Sequence, residues 1–355
     1  MAQKNNSYFN NVDKYNQQFL KQLRDELPPF LSDFFRGIDA TTLVSTRVSY
    51  ARDLLNFFEF LFTANPLLKD RDIKSFTLEE FAEIKPTDIE EYLEYLNIYT
   101  DKNDKTVTNG NSGRAHKLST LRSVYHYFTS HKEIQSNPAA IVNMPKIHKK
   151  EICRLDLDEI HDFIQYMYNA ENSLTGRQKA FFLKTKYRDI AIICVLLGTG
   201  IRVSELVGLD LEHIDFKHNG IFITRKGRKE QTVYFDKDVA KALKDYITLS
   251  RKLIVPVPGH ENALFLSLQK KRISVDAVEK LVTKYASGIS SKHITPHRLR
   301  ASYGTALYEA TGDLYLTADV LGHESVETTR KHYAAMTEQR RRSAAGKVNL
   351  MNKIE

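Results

Sequence analysis

The stretch Ser136-Asn-Pro138-Ala-Ala-Ile-Val-Asn-Met-Pro145-Lys-Ile-His-Lys-Lys150 constrains the chain more than any other. Each proline fixes its own φ, removes a backbone donor and biases the preceding residue toward extended backbone. A regular element therefore does not run through it, and its basic end favours solvent. A chain of 355 residues cut near this point reads as two domains. The expected organisation is an N-terminal extension over 1–29, a helical domain over 30–135, a linker over 136–152, a second domain over 153–336 and a tail over 337–355. A hydrophobic content of 42% supplies a core to both domains.

The first half reads as helical. Phe30, Leu31, Phe34, Phe35 and Ile38 recur at helical spacing, and a helix over 45–63 turns Tyr50, Leu54, Phe57, Phe58 and Leu61 inward. Another starts after Pro86, with Asp88 in its first turn as the helix dipole favours. Residues 101–113 form a polar loop, and a helix over 119–130 buries Leu121, Val124, Tyr125 and Phe128. Arg114, His116, Lys117, Arg122, His126 and Lys132 cluster in and around this last helix, with Glu133 as the one nearby acid. They form either a solvated face or a surface that tracks phosphates. Phosphate contacts would give affinity and salt dependence but no base preference.

The formal charge of +8 suits a polyanionic partner. Cys153 and Cys194 are the only cysteines and have no paired spacing, which argues against a disulfide scaffold or a zinc module and fits a reducing cytoplasm. The first residues, Met-Ala-Gln-Lys-Asn-Asn-Ser, lack the apolar core of a signal peptide. The longest apolar run, Ile190 to Leu197, is too short to span a bilayer, so no membrane role is expected.

The chemistry lies in the second half. After an amphipathic helix over 157–169, the apolar run from Arg188 to Leu197 reads as a buried helix that ends at Gly198-Thr-Gly200. Arg202 opens the next helix and serves either as an ion-pair partner of Glu205 or as a phosphate ligand. Residues 221–235 read as a β-hairpin whose tip, Arg225-Lys226-Gly227-Arg228-Lys229, is basic, and Arg225, Arg228 and Lys229 suit contact with a nucleic-acid backbone. Two helices, over 237–249 and 274–286, flank an extended piece at 263–267. Thr295-Pro296 starts a further helix that puts His297 and Arg300 on one face. His323 follows Leu321-Gly322, and a short helix from Val326 carries Tyr333. Arginines grip phosphate through two parallel donors, histidines donate or move protons, and a tyrosine hydroxyl can attack phosphorus. Histidines 293, 297, 323 and 332 lie beside no acidic cluster, so neither a metal site nor a cofactor is expected.

In order and spacing, Gly198-Thr-Gly-Ile-Arg202-Val-Ser-Glu205-Leu, Thr295-Pro-His297-Arg-Leu-Arg300, Leu321-Gly-His323-Glu-Ser and Thr328-Thr-Arg-Lys-His-Tyr333 resemble the boxes of the tyrosine recombinase (phage-integrase type) family. Within it they look most like the Xer-type enzymes, including the kind that works as a single protein. The resemblance implies a mainly α fold with a small β-sheet. A helical core-binding domain and an α+β catalytic domain would close as a clamp around DNA. It implies Arg202, His297, Arg300, His323 and Tyr333 as catalytic residues, and by match to the family's Lys-Gly turn it adds Lys226, with Lys229 as the substitute. It implies cleavage and rejoining of duplex DNA through a 3′-phosphotyrosyl intermediate and a Holliday junction. The protein would act as a homotetramer at a specific site, with an accessory or directionality protein as a further partner. The task is chromosome dimer resolution or the integration and excision of a mobile element.

Two positions depart from the family pattern. The family spaces its second histidine and its nucleophile nine residues apart, whereas His323 and Tyr333 are ten apart. One extra residue rotates a helical side chain by about 100°. Ala301 stands where relatives commonly carry a histidine. The rival readings are a type IB topoisomerase, an accessory DNA-binding protein of the same fold that does not cleave, and a basic helical protein that binds RNA or an acidic partner. The longer spacing is the feature that favours the accessory protein.

Overall fold

The computed structural model describes residues 7–100, 104–147, 154–288, 293–323 and 325–327, with only the main chain of Ser7 and Lys226. It is mainly helical with two small antiparallel sheets and separates into two compact units, residues 1–150 and 151–355.

The first unit runs α1 (Ser7–Asp25), α2 (Leu31–Gly37), α3 (Val44–Ala64), α4 (Leu78–Ala82), α5 (Pro86–Tyr95), β1 (Tyr99–Thr100), β2 (Thr106–Val107), α6 (Asn111–Ser130) and α7 (Pro138–Ile141). Its core is aromatic: Phe57, Phe58, Phe81, Tyr92, Tyr125 and Phe128 are buried. The rings of Phe81 and Tyr125 stack at 4.1 Å, and the Tyr125 hydroxyl donates to the Phe81 carbonyl at 3.0 Å. Each such ring contributes about 1.5–3 kcal/mol through burial.

Three expectations need correction here. Residues 7–29, expected as an extension, join the first unit, because α1 lies along α3 and adds Leu20, Leu23 and Leu27 to the core. Those leucines recur at helical spacing but are thinly scattered among polar residues. The loop read over 101–113 ends sooner, since α6 begins at Asn111, where Ala115 and Leu118 extend its buried stripe toward the N-terminus. The stretch read as linker from 136 starts as packed structure. Pro138 takes the first helical position of α7, the Asn137 side chain accepts from the Ala140 N–H at 3.0 Å, and Ala139 and Val142 are buried in the first core.

The second unit contains α8 (Leu157–Asn169), α9 (Gly176–Thr199), α10 (Val203–Val207), β3 (Ile214–Asp215), β4 (Gly220–Thr224), β5 (Glu230–Tyr234), α11 (Lys237–Leu249), α12 (Val275–Ala286), α13 (Pro296–Thr311) and α14 (Leu314–Leu321). α9 is its centre, with α11 and α13 packed against it. Its apolar end, Ile190 to Leu196, is largely buried, and it starts earlier than expected because Phe182 and Thr185 also face inward. The sheet order is β3-β4-β5, and Ile221 pairs with Val233. Alternation puts Ile221, Ile223 and Val233 inward, and on β5 leaves Glu230, Thr232 and Tyr234 exposed. Residues 263–267, read as an extended piece, make isolated bridges, Asp210 to Ala263 and Leu266 to Arg272. Buried acids are satisfied: Asp189 pairs with Arg188 at 2.7 Å and accepts from the Tyr285 hydroxyl at 3.1 Å. Among the described residues, no helix is long and apolar enough to cross a membrane.

Candidate active site

The site grows out of two helix ends. α9 stops at Gly200, which adopts φ +63, and a Cβ there would overlap the Tyr303 ring. Glycine alone meets both demands. The chain then turns through buried Ile201 to Arg202, the N-cap of α10, which has an extended backbone. The Glu205 carboxylate, with 3% of its side chain exposed, caps this five-residue helix. One oxygen accepts the Arg202 N–H at 2.8 Å and the other accepts Arg202 Nη1 at 2.8 Å. The ion pair allowed by the spacing is therefore present, and it places an acid where the sequence reading puts a phosphate at the helix terminus.

The other helix end belongs to α14. Gly322, at φ +59, closes it with a Schellman arrangement: the Gly322 N–H donates to Asp319 O at 2.8 Å and the His323 N–H to Ala318 O at 2.9 Å. The next three carbonyls each take an arginine. Val320 O accepts Arg225 Nη2 at 2.6 Å, Leu321 O accepts Arg300 Nη2, and Gly322 O accepts Arg202 Nη2 at 3.2 Å. Arg300 also donates through Nη1 to Gly200 O at 2.6 Å, so its fork joins the ends of α9 and α14. Arg300 is 6% exposed. α13 delivers it from its first two turns, with Pro296 at the N-terminus. His297, three positions earlier, is exposed, and His323 is half-buried just past the Schellman turn.

Arg225 differs from what the sequence implies. Grouped with Arg228 and Lys229 as a backbone-contacting tip, it is instead 8% exposed and turned into the fold, whereas Arg228 and Lys229 are exposed. The carbonyl at Val320 and the gap over Gly322 draw it inward, and a Cβ on Gly322 would overlap its guanidinium. Burial pulls its pKa down, opposed by Glu205 and reinforced by Arg202. Its main chain closes the hairpin, with the Arg225 N–H donating to Lys229 O at 2.7 Å. Lys226 begins the single turn at the tip, which Gly227 completes at φ +74.

The structure therefore gathers Arg202, Arg300 and the His323 turn. It places the main chain of Lys226 one residue from Arg225 and leaves His297 exposed on α13. Tyr333 and the Lys226 side chain lie outside the described residues. Sequence reasoning treated Glu205 only as a rival partner for Arg202 and missed Arg225 as a buried member of the cluster. The Arg202–Glu205 spacing of three was the available signal for the first, and nothing local signals the second. Among the described residues, no group of His, Cys, Asp and Glu side chains could hold a metal ion.

On α6 several basic residues have partners within the first unit. Lys117 pairs with buried Asp53 at 3.1 Å and has 14% of its side chain exposed. Arg122 donates to Ala139 O at 2.9 Å and Val142 O at 2.6 Å, which ties α7 to α6. Arg114 donates to Asn97 Oδ1 at 2.8 Å. Lys117 and Arg122, expected at the DNA surface, thus engage a buried carboxylate and helix-end carbonyls within the first unit.

Comparison with known proteins places this arrangement in context. The model of the phage integrase family matches residues 154–340. Tyrosine recombinase XerS of Streptococcus thermophilus is 31% identical over 336 residues, covering 87% of this chain and 92% of that protein. Tyrosine recombinase XerC of Caldanaerobacter subterraneus subsp. tengcongensis is 31% identical over 313 residues, covering 85% and 82%. A solved XerH site-specific recombinase bound to palindromic difH substrate shares the fold, with a TM-score of 0.61 at 20% identity, over 89% of this chain and 83% of that one. So does the Tn1549 transposon integrase in complex with circular intermediate DNA, with a TM-score of 0.60 at 18% identity, over 90% and 94%.

Proposed function

The chain belongs to the phage integrase family and is a tyrosine-type site-specific recombinase, and from that premise we propose that Tyr333 attacks a scissile phosphate of duplex DNA. The phenolic oxygen forms a bond to phosphorus as the bond to the 5′-bridging oxygen breaks, leaving a 3′-phosphotyrosyl link and a free 5′-hydroxyl. His297 takes the phenolic proton, and Lys226 gives a proton to the departing oxygen. Arg202, Arg300 and His323 hold the non-bridging oxygens, where charge accumulates in the transition state. A 5′-hydroxyl from the partner strand then reverses the steps. The link retains the energy of the phosphodiester, so rejoining needs no nucleotide triphosphate.

The observation that carries this reading is the pair of carbonyls, Leu321 O and Gly322 O, held by Arg300 and Arg202 directly before His323. A carbonyl is a neutral acceptor. A phosphate entering the same forks makes charge-assisted bonds about twice as strong.

The substrate is a duplex with a specific recombination site, acted on by four copies of the chain that exchange strands in pairs through a four-way junction. Arg228 and Lys229 contact its backbone from the hairpin tip. The task is chromosome dimer resolution or mobile-element integration and excision. An accessory or directionality protein is a further partner.

A nicked duplex built from the DNA flanking the gene tests the reading, because loss of the short fragment that carries the free 5′-hydroxyl traps the covalent state. Wild type should give a detergent-resistant protein–DNA band, and Tyr333→Phe should not. No band from wild type on DNA that it binds specifically would favour the non-cleaving accessory protein.

A further inference from the structure

We propose that Arg225 is a positioning residue that sets the leaving-group proton donor, by locking the hairpin turn of Lys226 onto the turn of His323. The inference rests on the reading of Lys226 as general acid. Arg225 touches neither the phosphate nor the leaving oxygen in this scheme and acts through its neighbour.

Three observations meet at this side chain. Its main chain closes the hairpin through the 2.7 Å bond to Lys229 O, so it fixes the base of the turn that Lys226 opens. Its guanidinium reaches out of the sheet to Val320 O at 2.6 Å, three residues before His323. Its Nε and Nη1 are buried without a hydrogen-bond partner among the described residues. An arginine left with two unmet buried donors is an unfavourable way to fill space, and an apolar side chain would serve packing better. Its presence fits a geometric task. Gly322 fits the same picture, because any Cβ there would overlap the guanidinium.

Among the described residues, little else ties the hairpin to α14. Beyond the ladder between β4 and β5, Gln231 Nε2 reaches Asp319 O at 3.4 Å, a weaker hold on the same helix end. Arg225 is therefore the principal described link between the turn and α14. A proton donor must sit within hydrogen-bond reach of the leaving oxygen, and a displacement of 1 Å costs about 10²-fold in rate.

The test separates a misplaced acid from a damaged fold. Full-length protein is given two matched duplexes that carry the site from the DNA flanking the gene. One has the ordinary 5′-bridging oxygen at the scissile position, and the other has sulfur there. Sulfur departs as a thiolate and needs no proton, so loss of the acid no longer matters. Lys226→Ala and Arg225→Lys should both cleave the oxygen duplex about 10²-fold or more slowly, and both should return to within about tenfold of wild type on the sulfur duplex. Arg300→Lys, which weakens the phosphate grip, should stay slow on both. Thermal unfolding and DNA binding confirm folding, and Arg225→Gln, which keeps a donor for Val320 O, replaces Arg225→Lys if that variant is unstable.

Arg225 variants that stay slow on sulfur, or that cut the oxygen duplex at the wild-type rate, overturn the proposal. If Lys226→Ala alone fails to recover on sulfur, Lys226 is not the acid. Recovery of the Arg225 variant in that case retains its role and moves the acid to another residue of the turn, such as Lys229. Failure of both overturns both assignments.

Discussion

Arg300 and Arg202 reach neighbouring carbonyls of one turn: Arg300 Nη2 donates to Leu321 O and Arg202 Nη2 to Gly322 O. They come from different helix beginnings, and the turn they share closes α14 and leads into His323. A helix C-terminus lacks donors for its last carbonyls. Here the Schellman bonds satisfy Ala318 and Asp319, and arginines satisfy the next three. Groups read as phosphate ligands thus double as the fastening of the α14 end.

This double duty has a measurable consequence. Arg300→Ala strands the carbonyls of Gly200 and Leu321 in a buried place, at a cost of about 1–3 kcal/mol for each. Its unfolding midpoint should fall by several degrees in a thermal melt followed by circular dichroism. Arg300→Lys retains the charge and one donor and should fall less. Equal stability of wild type and Arg300→Ala would contradict the fastening role.

The first unit offers a paired comparison. Lys117 neutralises buried Asp53, so Lys117→Ala should lower the melting temperature and leave the salt dependence of DNA binding unchanged. Lys229 is exposed at the hairpin tip. Lys229→Ala should leave the melt unchanged and reduce the slope of log K against log salt by about 1. Fluorescence anisotropy across a salt series reads both, and a reduced slope for Lys117→Ala would return that residue to the DNA surface.

Thiol chemistry reports on the α9 core. Burial, with smaller contributions from Asp236 and Asp238, pushes the Cys194 thiol up to about 12. The folded-state value lies above the ordinary one, so the reactive thiolate is scarce at pH 8 and grows only as the pH climbs toward 12. In a Cys153→Ser background, alkylation of the native protein at pH 8 should run far below the rate in denaturant. Equal rates would place Cys194 at the surface.

The tail over 337–355 lies outside the described residues. Leu350, Met351 and Ile354 give its end an apolar character suited to docking on a neighbouring copy. Truncation after Lys347 should reduce tetramer yield on DNA, measured by light scattering, while binding of single copies persists. An unchanged tetramer yield would rule this out.

The hairpin, the α9 end and the shared face of His297 and Arg300 were legible because each is local. Alternation over 221–235, an apolar run ending in glycines and a histidine three residues from Arg300 are all short-range patterns. What escaped was long-range. Arg225 looks like part of an exposed basic tip until Val320, 95 positions away, supplies its acceptor. Lys117 looks solvated until Asp53, 64 positions back, appears beside it. Arg122 finds Ala139 and Val142 only because α7 folds back on α6. The leucines of α1 acquire meaning once α3 lies alongside. A charged side chain advertises its type in the sequence but not its partner.

The most direct measurement is the identity of the residue joined to DNA. Wild-type protein trapped on a nicked duplex, digested with nuclease and protease and analysed by mass spectrometry, should carry its nucleotide on Tyr333 through the 3′ end. That outcome means that the ten-residue spacing from His323 still delivers the hydroxyl to the arginines. An adduct on any other residue, Tyr315 included, or a link through a 5′ phosphate, would contradict the mechanism.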